Sequence, residues 1–364
     1  MKESPLKGEH PAGTTYQQIG DAEVPWRFAD QEPEYRSLRE SAGLLDLTGL
    51  GLLRVQGPEA SSLLQLALTK DVAYMTPERS VTGLTLGASG SPLDQLVVYK
   101  VEGGFVVETS VGCGSATLRH LSEVATQGSL AVEIIDVSDQ QVVVGVEGPE
   151  AWATGLAAFG VEVNGLPFEG VMHTTWSDTE LMISRTGYTS EFGFKVFAPA
   201  DAAVALWKAC ASAAVPAGHE ALEVAMLEVR QPRLHREVSP SATVISSGLN
   251  WLVDMEKAEF IGRDAVAAEA AQGAKALTIG FGTESKVPVP AGSTVRAGAR
   301  EIGTVIDWIG HPVENGSLGL ALVDADFAAS GLELTVEGSD GAQQVQTLSS
   351  PYRVPTSWKA VRGQ

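Results

Sequence analysis

The chain has 364 residues, of which 44% are hydrophobic and 19% charged, enough apolar material for packed cores and too much for a disordered chain. Its 45 acidic residues outnumber 25 basic ones, and the net charge of −20 leaves no basic surplus to neutralise nucleic-acid phosphates or to meet an anionic membrane. At roughly 150 residues per domain, the length calls for two or three units.

In chain order, the apolar spacing predicts a helix over Glu34 to Ala42 that stops at Gly43, then a strand over Leu52 to Val55 and a helix over Ala60 to Leu68. Short strands follow at Leu84 to Leu86, Leu96 to Val101, Phe105 to Glu108, Gln141 to Val146, Glu180 to Ser184 and Gly193 to Phe197. Asp201 to Ala214 reads as an amphipathic helix with Asp201 as its N-cap, and Glu220 to Val229 as another. After Ala271-Gln272-Gly273 the chain is rich in Val and Gly, starts with a strand at Ala276 to Phe281, and reads as an all-β module. One internal echo stands out: Gly57-Pro58-Glu59-Ala60 returns 91 residues later as Gly148-Pro149-Glu150-Ala151. Each copy ends a strand and opens a helix, with Pro expected in the first helical turn, so two related α+β halves are implied.

Cys113 and Cys210 form no CxxC or Cys/His cluster, so neither a disulfide framework nor a metal site is expected. Met1 to Thr15 is polar, and no run approaches the roughly 20 apolar residues of a membrane span. A cytoplasmic protein with reduced thiols is expected.

Two acids sit where chemistry could occur. The small-residue hairpin Gly87-Ala88-Ser89-Gly90 leads to Asp94, flanked by Leu93 and Leu96. A partly desolvated carboxylate there could bond a ligand N–H or stabilise a developing cation; it could equally satisfy N–H groups of its own turn. Glu191 lies in Arg185-Thr186-Gly187-Tyr188-Thr189-Ser190-Glu191-Phe192-Gly193, where it could accept two N–H bonds from a flat heterocycle or be an exposed turn residue.

These two segments resemble the aminomethyltransferase family: the T-protein of the glycine cleavage system, folate-dependent demethylases, and the folate-binding domains of sarcosine and dimethylglycine dehydrogenases. Arg39-Glu40-Ser41-Ala42-Gly43-Leu44-Leu45-Asp46-Leu47, Glu147-Gly148-Pro149, Phe260-Ile261-Gly262-Arg263-Asp264-Ala265 and Gly303-Thr304-Val305 extend the resemblance from about Trp26 to Tyr352. It implies an α+β fold of three domains around a central cavity: two α+β units of ferredoxin-like or Greek-key type and a C-terminal β-barrel or jelly-roll module. The expected division is 1–52 plus 138–272 for the folate-binding unit, 53–137 for the second, and 273–364 for the all-β module. The resemblance also implies tetrahydrofolate as cofactor and a small methyl or aminomethyl compound as one-carbon donor. Asp94 takes the place of the essential aspartate and Glu191 that of the acid gripping the pterin. Tyr188, Ser110, Leu50, Arg230, Trp308 and Tyr352 are the expected folate-binding residues.

The departures are also informative. Gln95 stands where the family has a second acid, Ser110 where it has Asn, and Leu222 and Met226 where it has two arginines. The basic residue that meets the folate tail in the family has no obvious match near Val287-Pro288-Val289-Pro290, and losing one partner of such a charged pair costs about 2–5 kcal/mol. Arg230, Arg233, Arg236 and His235 could replace the lost cations or pair with Glu223, Glu228 and Glu237. Trp308 and His311 could shape a second-substrate pocket. An acidic lipoyl carrier is disfavoured by charge, and the absence of a Lys-Gly-Cys-Tyr motif disfavours the iron–sulfur-assembly branch. The alternative function is a relative that keeps the cavity without folate or without catalysis.

Overall fold

The computed structural model describes residues 3–239, 241–338 and 341–359; the outer ends of the expected units, at 1 and 364, lie outside them. Two antiparallel sheets and a barrel organise the chain. The first sheet has five strands in the order Ser80–Leu86, Pro92–Val101, Gly104–Val111, Leu50–Gln56, Glu133–Asp136. The helices Ala60–Ala67 and Gly114–Gln127 cover one face, burying Leu64, Leu121 and Val124 against Leu96 and Val98. The second sheet runs Val171–Trp176, Thr179–Ser184, Gly193–Pro199, Gln141–Glu147, Gly43–Asp46, Val215–Pro216, its last pair parallel. Ala151–Phe159 and Ala203–Ala211 cover it in the same way, through residues such as Leu206 and Trp207 against Val144 and Phe194.

The helix-free faces of the two sheets look toward each other, because each must bury a second apolar face. Tyr99 of one and Phe197 of the other meet edge to face with ring centroids 5.2 Å apart. His219–Glu228 and Gln31–Glu40 close this shared layer, with Leu222 and Tyr35 in the core. A closed six-stranded barrel, Ala276–Thr283 through Gly341–Leu348, stands at the C-terminal side around Phe281, Val323 and Val336.

Both GPEA turns follow one design. Gly57 has φ +112° and Gly148 φ +138°, and a Cβ would come within 2.7 Å of the Ala131 carbonyl oxygen and 2.3 Å of the Ser41 one. Only glycine accepts both demands. The prolines fall just outside the helices, which begin at Ala60 and Ala151 with Glu59 and Glu150 as caps. Asp201 likewise precedes its helix in a 3₁₀ turn, and Ala202 caps it. The expected cut at 52/53 falls inside the strand Leu50–Gln56; the chain passes between the two sheets at 47–49. The 14-residue helix Gly114–Gln127 was not among the expected elements: its Gly-Ser-Ala-Thr opening reads as a loop, although Thr117, Leu121 and Val124 mark one face. No helix among the described residues is long and apolar enough to cross a membrane.

Candidate functional site

A cavity lies between the two helix-free faces, divided into two chambers. The inner chamber has a cavity volume of about 60 Å³ and is lined by apolar side chains such as Val97, Leu222 and Met226 together with polar ones, among them Glu108, Ser110 and His219. The outer one, about 320 Å³ and more open, has Lys70, Thr186, Lys195, Phe168 and Trp251 in its wall. Gln95, Val97, Tyr188 and Gln231 line both. The Gln231 Nε2 group donates to Gln95 Oε1 at 3.3 Å across the boundary.

Strand alternation decides which residues reach this space. Along Pro92–Val101, Gln95, Val97 and Tyr99 face the second sheet, while Leu96 and Val98 face the helices. Asp94 is on the helix-covered side. One carboxylate oxygen accepts from the Ser110 N–H at 3.1 Å and the other from the Thr117 hydroxyl, and the residue is 2% exposed. Burial pushes its pKa up to about 6, against the pull of the Thr117 and Ser110 hydrogen bonds. Asp94 therefore lies behind the inner-chamber wall, held by Ser110, which lines it.

Glu191 is not in the cavity. Its oxygens accept from the Thr356 N–H at 2.9 Å, the Ser357 N–H at 2.8 Å and the Ser357 hydroxyl at 2.6 Å, and Arg39 Nη1 stands 3.5 Å away. The carboxylate fastens the C-terminal segment to the second sheet, so the expected pterin grip is corrected to an anchoring role. The Gly187-Tyr188-Thr189 motif has a comparable local cause. Glu147 accepts from the Tyr188 and Thr189 N–H groups at 3.0 and 2.8 Å; a Cβ at Gly187 would press on that carboxylate, and one at Gly193 on the Glu147 Cγ, each at 3.0 Å.

Three acids line the cavity, Glu108 and Glu223 in the inner chamber and Glu169 in the outer, and Glu108 is the one that bonds Tyr188 at the junction. It pairs with Lys195 and accepts from the Tyr99 hydroxyl at 2.9 Å and the Tyr188 hydroxyl at 3.1 Å. Lys195 Nζ donates to the Tyr188 oxygen at 3.0 Å and lies 4.3 Å from that ring's centroid. Burial raises both tyrosine pKa values, and the Glu108 charge adds to it. The sequence reading missed Glu108 and Lys195. Each is a lone charge in an otherwise apolar strand, in Phe105-Val106-Val107-Glu108 and Phe194-Lys195-Val196-Phe197, and that mutual exception was the available signal.

Tyr188 and Ser110 line the cavity as expected positions; the other expected binders lie elsewhere. Leu50 is core and borders a separate surface cleft. Trp308 packs on Phe281 in the barrel, centroids 5.6 Å apart. Tyr352 fills the space beside Gly280, where a Cβ would meet its hydroxyl at 1.9 Å. Arg230 binds Glu237 at 2.6 Å and the Ser247 carbonyl at 3.1 Å. Arg233 pairs with Glu237 and Asp307, and Arg236 with Glu223 and Asp307, so ion pairing occupies this basic patch. His311 bonds Glu228 at 3.0 Å and ties the barrel to the helix layer instead of shaping a substrate pocket. No cluster of three or more metal-ligating side chains occurs among the described residues.

Comparison with known proteins agrees with this architecture. Residues 9–257 match the family model described as the GCVT N-terminal domain. The aminomethyltransferase of Streptomyces avermitilis is 30% identical over 350 residues, covering 92% of this chain and 93% of that one. The aminomethyltransferase of Saccharopolyspora erythraea is 28% identical over 361 residues, covering 96% and 98%. The crystal structure of glycine cleavage system aminomethyltransferase T from Bartonella henselae superposes with a TM-score of 0.87 at 25% identity, covering 97% of this chain and 98% of its own. The chain thus belongs to the GCVT family of aminomethyltransferase-like proteins.

Proposed function

We propose that the chain binds tetrahydrofolate in the two-chambered cavity and transfers a methyl or methylene unit between it and a small donor. The observation that carries this reading is Asp94: a carboxyl poised near neutrality by burial, bonded by Ser110 of the cavity wall, with no cation among its hydrogen-bonding groups.

The cavity suits a flat, elongated ligand. Tyr188, Gln95 and Gln231 stand where the chambers join and offer donors and acceptors to a ring edge. Lys70, which makes no ion pair among the described residues, puts positive charge on the outer chamber, where an anionic tail would be met. Tetrahydrofolate, when bound, supplies the nucleophilic nitrogens for one-carbon chemistry. The chain's own part is to orient the ring, exclude water through the apolar surface of the inner wall, and, from behind that wall, position Ser110 through the buried Asp94 carboxyl.

Titration of the full-length protein with tetrahydrofolate tests the reading directly. Micromolar binding is expected in wild type, and Asp94→Asn should keep that affinity while turnover falls by about 10²–10⁴. Absence of binding at millimolar tetrahydrofolate would leave the second reading, a cavity for another small molecule. One feature favours that second reading: Glu108 is engaged by Lys195 and two tyrosines and is not a free acceptor for an amidine-like edge.

A further inference from the structure

Two amides meet where the chambers join. Gln95 stands on the strand Pro92–Val101, and its main-chain carbonyl accepts from the Ser110 hydroxyl at 3.3 Å. Gln231 follows the helix His219–Glu228, beyond which Arg230 takes a left-handed φ of +60° and Pro232 bars a further turn. The Gln231 N–H turns back to the Met226 carbonyl at 2.9 Å, and the Arg230 side chain is tied to Glu237 and to the Ser247 carbonyl. Both backbones are therefore held in place before any ligand arrives.

The bond from Gln231 Nε2 to Gln95 Oε1 is the one side-chain bond either amide makes among the described residues. The second bond that would close the two into a cyclic pair, Gln95 Nε2 to Gln231 Oε1, is not made, and those two atoms have no other protein partner among these residues. Neither is among the sealed polar atoms that lack a partner: both side chains are half-buried, line both chambers, and leave these atoms open to a water-sized molecule. The junction thus offers an uncharged donor and an uncharged acceptor to the cavity. A carboxylate would be repelled by the acceptor, and an ammonium or amidinium by the donor; a cis-amide, with N–H next to C=O in one ring, satisfies both. The ring has room in the outer chamber, about 320 Å³, whose wall holds Phe168 and Trp251, 68% and 53% exposed. We infer that Gln95 and Gln231 read the cis-amide edge of an uncharged flat ring, Gln95 Nε2 donating to its carbonyl oxygen and Gln231 Oε1 accepting from its N–H. That this edge belongs to the folate ring rests on the proposed function; the amide subsite itself does not.

The test uses the full chain and two uncharged bicyclic probes, 2-quinolone and N-methyl-2-quinolone, which differ only at the amide N–H. In wild type, titration should show the parent binding about tenfold more tightly than the methyl derivative. Gln231→Met keeps the side-chain length and removes the acceptor, so it should bring that ratio within about twofold. Gln95→Met should weaken both probes alike, because both keep the carbonyl. If Gln231→Met fails to fold, the wild-type ratio stands as the readout, together with a shift of the Gln95 side-chain ¹⁵NH₂ resonance when the parent binds. The inference is overturned by the methyl derivative binding as tightly as the parent, by an unchanged ratio in a folded Gln231→Met variant, or by no binding of either at millimolar probe. Tetrahydrofolate titration of the same samples separates the two claims: a preference for the N–H probe without folate binding removes only the folate assignment, and folate binding without that preference removes only the amide subsite.

Discussion

Glu191 and Asp94 invite direct comparison. Both follow glycine-bearing turns, both side chains are buried, and both carboxylates have their oxygens occupied. Their partners differ in kind. Glu191 receives two backbone N–H groups and a hydroxyl from the C-terminal segment, with the Arg39 guanidinium nearby. Asp94 receives one backbone N–H and one hydroxyl, has no cation in its bonding shell, and has a raised pKa. A buried acid supplied with charge and several donors is a fastening; one left short of them keeps its proton within reach.

The largest effect on this contrast comes from the fastening side. Arg39 is 1% exposed and donates to Glu228 at 2.8 Å, to the Thr189 carbonyl at 2.7 Å and to the Ala225 carbonyl at 2.6 Å. Burial alone would raise the Glu228 pKa, yet the His311 bond and the Arg39 charge hold it below the usual carboxylate range. Arg39→Met strands Glu228 and two carbonyls and should cost about 3–5 kcal/mol in denaturant unfolding at neutral pH. A loss below about 1 kcal/mol would show that the Glu191 side is not held by charge after all.

Glu191→Gln comes next. The amide keeps one acceptor oxygen but presents an NH₂ to groups that are themselves donors, so a loss of about 2–3 kcal/mol is expected. Ligand affinity should not move, since Glu191 does not line the cavity. Equilibrium unfolding and tetrahydrofolate titration on the same variant check both halves. Lost affinity with unchanged stability would return Glu191 to the binding site.

Much of the fold was readable because it rests on local pattern. The GPEA turns, the strands around Leu96 and Phe105, and the Val-rich C-terminal module announce themselves through alternation and glycine placement. The site was less readable, and Glu191 shows why. Its partners Thr356 and Ser357 lie more than 160 residues along the chain, and no spacing near residue 191 announces them. Glu108 and Lys195 form the same kind of distant pair, 87 residues apart, joined only when two sheets face each other. Asp94 was identifiable as a desolvated acid from its apolar neighbours, but its orientation away from Gln95 and Val97 follows from strand register, which the turn beside it does not reveal.

The smallest effect is the most discriminating, because it reverses sign. The Asp94 pKa rises from an ordinary 3.8 to about 6 on folding. Between those values the folded chain binds more proton than the unfolded chain, so this group's contribution to stability falls as pH rises through the window and is level above it. Asp94→Asn removes the buried charge. Near pH 4 the variant and wild type should be close in stability; at pH 8 the variant should be more stable, by an amount on the order of 1–2 kcal/mol once the changed bond to Thr117 is discounted. A stabilised variant that has lost turnover would identify a carboxylate whose burial costs stability and is retained for chemistry. If Asp94→Asn instead destabilised the protein equally at both pH values, Asp94 would be a fastening like Glu191, and the contrast between the two turns would disappear.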